Sequence, residues 1–132
     1  MTQRDQQQIP ARAIGLKRII RAAGYSWAGV RYTFKEEAAF RQELLLCLVM
    51  APLIILLSFT TLAQLYLLGC LALVLICELA NTGLEVIINY VSPEYSEAAK
   101  NGKDIGSALV FVSLINLAIS FLALIVPLFW TI

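Results

Sequence analysis

Histidine is absent from this chain of 132 residues. The commonest general base of enzymes is therefore missing, and so is a usual nitrogen ligand of zinc. That argues against a zinc site and leaves acid–base chemistry to carboxylates. Charge is scarce as well: 14% of residues carry it, against about 25% in a typical soluble domain. The net charge is only +1, so no nucleic-acid partner is expected. Cysteine is limited to Cys47, Cys70 and Cys77, all in apolar stretches and without metal-ligand spacing. They read as buried free thiols. Met1 to Arg12 is polar and shows no signal-peptide pattern.

What the chain has is apolar sequence, 60% of it. From Leu44 to Cys77 no residue is charged. One helix of that length would measure about 51 Å, well beyond a hydrocarbon core of about 30 Å. The run therefore holds one membrane span and most of a second, with the break expected in its most polar part, Ser58 to Gln64. Pro93 biases Ser92 away from helical geometry and ends the second span. Ser96 to Asp104 reads as a short polar connection. A third, uncharged span follows, with Ser107, Ser113, Asn116 and Ser120 as packing positions and Trp130 at the far interface. The length allows one domain. The expected architecture is an all-α membrane protein: a disordered tail over 1–10, a surface helix over about 11–34, and spans over about 40–60, 64–91 and 105–128.

The surface helix rests on periodicity. Ile19, Ala23, Trp27, Val30 and Phe34 recur at helical steps, with Arg12, Lys17, Arg18, Arg21 and Arg31 interleaved. A basic amphipathic helix with a Trp favours the plane of an anionic leaflet. Gly24 and Gly29 weaken it and allow a bend. The junction Lys35 to Glu43 has two readings. It is a solvated helix face with pairs such as Glu37–Arg41, or it supplies Glu37 or Glu43 to a site at the membrane surface.

The second span carries the chemistry. At about 100° per residue, Glu78, Asn81, Thr82, Glu85 and Asn89 share one stripe. A charge at bilayer depth costs at least about 2.5 kcal/mol, and two carboxylates on one stripe repel unless a cation or proton lies between them. Eight of the ten Lys and Arg residues precede the first span, and two lie between the second and third. Both segments are thus expected in the cytoplasm, with the C-terminus outside. The stripe, the Glu37 region, the N-terminal helix and the Ser92–Asp104 segment then converge at one depth. Three spans enclose little polar space, so a homo-oligomer is expected. Glu37, Glu78 and Glu85 offer hard oxygen ligands suited to Mg²⁺, with Asn81 as amide support, while Arg18, Lys100 and Lys103 can hold phosphate charge. That combination fits phosphoryl transfer. No Walker A pattern or kinase Gly-rich loop is present.

Four blocks carry a family resemblance: Arg18-Ile19-Ile20-Arg21-Ala22-Ala23-Gly24-Tyr25-Ser26-Trp27, Glu37-Ala38-Ala39-Phe40-Arg41-Gln42-Glu43, Glu78-Leu79-Ala80-Asn81-Thr82-Gly83-Leu84-Glu85, and Glu94-Tyr95 through Lys103-Asp104-Ile105-Gly106-Ser107. In order and spacing they resemble the bacterial integral-membrane diacylglycerol kinases. The resemblance implies three transmembrane helices plus a surface helix, assembled as a homotrimer with composite active sites in the bacterial inner membrane. It implies ATP-dependent phosphorylation of diacylglycerol to phosphatidic acid. By this resemblance Glu78 is the general base, and Glu37 and Glu85 ligate Mg²⁺. Arg18, Tyr25, Glu94, Tyr95, Lys103 and Asp104 contact ATP. Ala22, Ala23, Gly24, Tyr25, Ser26, Trp27, Glu43, Asn81 and Ser107 border the lipid and the catalytic groups. Two positions depart from the pattern: Asn89 stands where the family usually has Asp, and Ser96 where His is common. The alternatives are an undecaprenol kinase of the same family, an oligomeric cation or proton pathway lined by Glu78 and Glu85, and a scaffold in which the stripe only joins helices.

Overall fold

The computed structural model describes residues 15–130. Four helices follow one another: α1 (Leu16–Glu36), α2 (Ala38–Leu56), α3 (Thr61–Val91) and α4 (Glu97–Trp130). The chain divides into two units at Tyr32 and Thr33. In the N-terminal unit, Gly15 precedes α1 with φ 76°, a left-handed conformation open to a residue without Cβ. Its carbonyl accepts from Arg18 N at 3.0 Å. Gly24 and Gly29 sit inside α1 without interrupting it. The tail over 1–10 and the helix start near residue 11 lie outside the described residues.

In the second unit, α2, α3 and α4 are each long and apolar enough to cross a membrane, so the protein is membrane-embedded. Their lengths differ. At 1.5 Å per residue, α2 measures about 28 Å, α3 about 46 Å and α4 about 51 Å, against a hydrocarbon thickness of about 30 Å. α3 packs against both α2 and α4. The shared core is Ile54, Leu67, Cys70, Leu71, Val74 and Leu117, with Ile54, Leu67 and Val74 fully enclosed. In lipid, such contacts gain little from leaving water, and close packing and hydrogen bonds between helices hold them together. Polar bridges tie α3 to α4: Tyr66 Oη to Ser120 Oγ at 3.0 Å, Asn116 Nδ2 donating to Cys70 Sγ at 3.4 Å, and Cys70 Sγ donating to Ser120 Oγ at 4.0 Å. Each contributes on the order of 0.6 kcal/mol. All three cysteines are free; Cys70 is buried and the other two half-buried.

The break between α2 and α3 falls at residues 57–60, overlapping the polar stretch that marks it in the sequence. Thr60 caps α3, its side chain accepting from Ala63 N at 3.3 Å. Gln64 closes the other side of the turn. Its amide donates to the carbonyls of Ile54, Ile55 and Leu57 at 3.1–3.3 Å, satisfying groups that the end of α2 leaves open. α3 ends at Ser92, as Pro93 requires.

The next segment corrects the sequence expectation. Residues 97–104 are not a loop but the first two turns of α4. Ser96 Oγ accepts from Ala99 N at 3.1 Å and so caps the helix. Glu97 lies in the first turn, where the helix dipole favours an acid. Lys100 and Asp104 pair one turn apart at 2.6 Å. A charge-rich helical turn outside the membrane has the composition of a loop, and only its capping distinguishes it.

Candidate active site

A pocket of about 350 Å³ opens between the helices, lined by Glu37, Ala39, Glu78, Asn81, Glu85, Ser107, Val110, Phe111 and Leu114. Three helices and the residue before α2 build it, with Ala39 coming from α2. From α3 come Glu78, Asn81 and Glu85, spaced at i, i+3 and i+7 and so on one face. From α4 comes Ser107, with the apolar wall Val110, Phe111 and Leu114. Glu37 is the single non-helical residue between α1 and α2, held extended at φ −104° and ψ 115°. Its N–H still bonds Thr33 O at 2.8 Å.

The junction around Glu37 differs from the expected ion pair. Arg41 meets Glu37 through the backbone alone, its N–H donating to the Glu37 carbonyl at 3.4 Å. Its guanidinium Nη1 donates to the carbonyls of Phe34 and Lys35 at 2.9 and 3.0 Å. A cation there satisfies the open carbonyls of the preceding helix and complements its negative end. Glu37 is thereby left to the pocket. Of the two readings of the junction, the Glu37–Arg41 ion pair is not formed, whereas Glu37 lines the pocket, as the second reading expects.

Glu78 is 3% exposed and Glu43, on α2, 7%. Glu78 lies within electrostatic reach of Glu37 and Glu85, and Glu43 of Glu78. Four carboxylates thus share one neighbourhood at the edge of an apolar body. Such a set is stable only with protons or a cation among its members. Among the described residues, no three acidic or cysteine side chains close into a complete metal cage. Asn81 Nδ2 donates to Glu85 Oε1 at 3.4 Å and restrains that carboxylate. The Asn81 carbonyl oxygen is buried without a partner.

Close approach of α4 makes this possible. A Cβ added at Gly106 would collide with the Asn81 side-chain oxygen, and one at Gly102 would meet Ile88 Cδ1 at 2.8 Å. Gly102 and Gly106 form a G-x-x-x-G pair against α3, a signal present in the sequence but hidden in a segment taken for a loop. The pocket's apolar wall had no comparable signal, because Val110, Phe111 and Leu114 look like any other residues of a span.

Along α3, Glu78 stands about 26 Å from Thr61 and Glu85 about 36 Å, so the two carboxylates are set about 10 Å apart along the helix axis.

The remaining expected residues are distributed elsewhere. Glu94 and Tyr95 are exposed in the turn between α3 and α4 and do not line the pocket. Lys103 is half-buried on α4, and Asp104 is held by Lys100. Arg18 and the Ala22–Trp27 segment, with Ala23, Gly24, Tyr25 and Ser26, belong to the N-terminal unit and are exposed on α1. Within that segment Ser26 Oγ donates to Ala22 O at 3.0 Å.

The family model for prokaryotic diacylglycerol kinase matches residues 24–125. The chain belongs to the prokaryotic diacylglycerol kinase family. It is therefore an enzyme, a lipid kinase. The diacylglycerol kinase of Pseudomonas aeruginosa strain PAO1 is 44% identical over 100 residues, covering 76% of this chain and 81% of that protein. The Escherichia coli K12 diacylglycerol kinase is 38% identical over 101 residues, covering 76% and 83%. The Helicobacter pylori 26695 diacylglycerol kinase is 34% identical over 109 residues, covering 82% and 84%. The matched region contains every residue of the pocket, whereas Arg18, Ala22 and Ala23 precede it.

Proposed function

We propose that the protein transfers the γ-phosphoryl group of ATP to the free hydroxyl of diacylglycerol, giving phosphatidic acid and ADP. The observation that carries this is the pocket in which Glu37, Glu78, Asn81, Glu85 and Ser107 meet. Its two depths match two substrates. Glu78 lies at the level of a lipid's glycerol hydroxyl, and Glu85 lies outward, where a nucleotide's phosphates arrive. In the step itself the hydroxyl oxygen bonds to the γ-phosphorus as the bond to the ADP oxygen breaks. Glu78 accepts the hydroxyl proton. Positioning and charge stabilisation supply most of the acceleration.

Glu37 and Glu85 would hold Mg²⁺. The donor set fits: hard oxygens, two carboxylates, and no closed cage, so that phosphates and water complete the shell. When bound, the cation neutralises charge on the phosphates. Asn81 fixes Glu85 through its amide hydrogen, and Ser107 borders the lipid hydroxyl. Arg18, Tyr25, Glu94, Tyr95, Lys103 and Asp104 contact the nucleotide, and Ala22 to Trp27 with Glu43 border the lipid. α1 lies on the anionic leaflet as an amphipathic surface helix. The protein sits in the inner membrane with its N-terminus in the cytoplasm. It is a homotrimer in which neighbouring subunits complete each site.

An ATP-consumption assay in mixed micelles across a panel of lipid alcohols tests this. Turnover is expected with diacylglycerol and Mg²⁺. Turnover confined to a long polyprenol would overturn the substrate assignment, and ion flux in liposomes without nucleotide dependence would overturn the kinase chemistry at this site.

A further inference from the structure

Among the described residues, three buried side-chain oxygens have no hydrogen-bond partner: Glu43 Oε2, Asn81 Oδ1 and Thr82 Oγ1. All three lie around Glu78. Asn81 faces α4 and lines the open pocket. Glu43 and Thr82 do not line it, and they are 7% and 3% exposed. Glu43 stands on α2 and Thr82 on α3, one turn beyond Glu78.

The geometry of α3 says which way Thr82 points. At about 100° per residue, Thr82 stands about 40° from Glu78, on the same side as Leu71 at about 20°, while Asn81 stands about 60° the other way. The Leu71 side faces α2, since the Leu71 carbonyl accepts from Cys47 Sγ at 3.7 Å. α2 also carries Glu43, which is in electrostatic reach of Glu78. A threonine inside a helix ordinarily donates its hydroxyl to the carbonyl one turn back, here that of Glu78. That bond is not made. The hydroxyl is therefore left without its easiest partner, on the side of α3 that faces α2.

We infer that Glu43 and Thr82 form a buried water site behind Glu78, and that Thr82 is a positioning residue for the Glu78 carboxylate. The hydrogen-bond count closes with one water. It accepts the Thr82 O–H, donates one hydrogen to Glu43 Oε2 and donates the other to the Glu78 carboxylate. Ordered internal waters typically make about three such bonds. The water would separate two carboxylates that otherwise repel, and it would hold Glu78 in the rotamer that faces the pocket. This rests on Glu78 being the base.

The test compares Thr82→Val, Thr82→Ser and Glu78→Gln in the full-length protein, with kcat and both KM values measured in mixed micelles. Valine keeps the volume of threonine and removes the donor. The expected result for Thr82→Val is a fall in kcat of about tenfold or more, from misplacement of the reacting group, with both KM values held within about twofold. Thr82→Ser restores the hydroxyl and is expected to recover most of kcat. If Thr82→Val does not assemble, Thr82→Cys, nearly isosteric but only a weak donor, takes its place. A wild-type kcat in the donor-free variant overturns the inference, as does equal loss in the valine and serine variants. Glu78→Gln separates the two levels. An inactive Glu78→Gln beside a fully active Thr82→Val removes the water site alone, whereas an active Glu78→Gln removes the base assignment and the water site with it.

Discussion

At the scale of single residues, the pocket divides labour among groups of like chemistry. Glu78 is enclosed at 3% exposure, and Glu85 is half-exposed and tethered by Asn81. On the proposed reading, replacing Glu78 by Gln keeps the shape and removes the proton acceptor. Turnover with ATP and diacylglycerol is expected to fall by about 10²-fold or more, the usual contribution of a positioned base, while the protein elutes from a sizing column unchanged. Glu85→Gln should instead shift the Mg²⁺ titration to higher metal, and an unmoved titration would remove Glu85 from the ligand set. Gly106→Ala places a methyl against the Asn81 oxygen, so both thermal stability and turnover should drop, with overpacking costing about 1–3 kcal/mol. The stripe of Glu78, Asn81 and Glu85 was legible because a helix repeats its face every three or four residues and charge is conspicuous in a span. Thr82 was on that stripe too, but an orphaned hydroxyl is a property of packing. No spacing rule reveals it.

At the scale of elements, the chain writes its stops more clearly than its starts. Pro93 ends α3, and the polar run at Ser58–Gln64 marks the turn before it. The start of α4 was obscured because Lys100, Lys103 and Asp104 read as solvent-exposed connection, although they stand in the first two turns of a helix. The helix-breaking residue at Glu37 was likewise hidden, since nothing in Lys35 to Glu43 departs from helical propensity. Arg41 makes the break by capping one helix where the next begins. The cap on α4 can be tested directly. Ser96→Ala should destabilise the fold by about 1 kcal/mol, read as a lower midpoint in thermal unfolding, because Ala99 N loses its acceptor.

At the scale of the whole molecule, the membrane sets which surfaces exist. The described helices leave many large apolar side chains exposed, among them Leu48, Ile76, Phe111 and Ile119, as contact with lipid requires. If three copies assemble, light scattering of the detergent-solubilised protein, corrected for bound detergent, should give three times the 14.6 kDa chain mass. A monomer mass at full activity would remove the composite site. Orientation has its own readout. A cysteine placed at Ser92 should react with a membrane-impermeant thiol reagent only in inside-out vesicles, and one at Thr60 only in right-side-out ones, on a background with the native cysteines replaced.

The unequal helices carry a consequence for the membrane around the protein. α2 is about as long as the hydrocarbon layer is thick, while α3 and α4 exceed it by more than 15 Å. If Glu78 and Glu85 act at the depths of the lipid hydroxyl and the nucleotide, as proposed, activity depends on bilayer thickness: longer acyl chains would draw Glu85 toward oil, and shorter ones would lift Glu78 away from the hydroxyl. In reconstituted vesicles of graded acyl length, turnover should pass through a maximum, while the protein remains folded on either side of it.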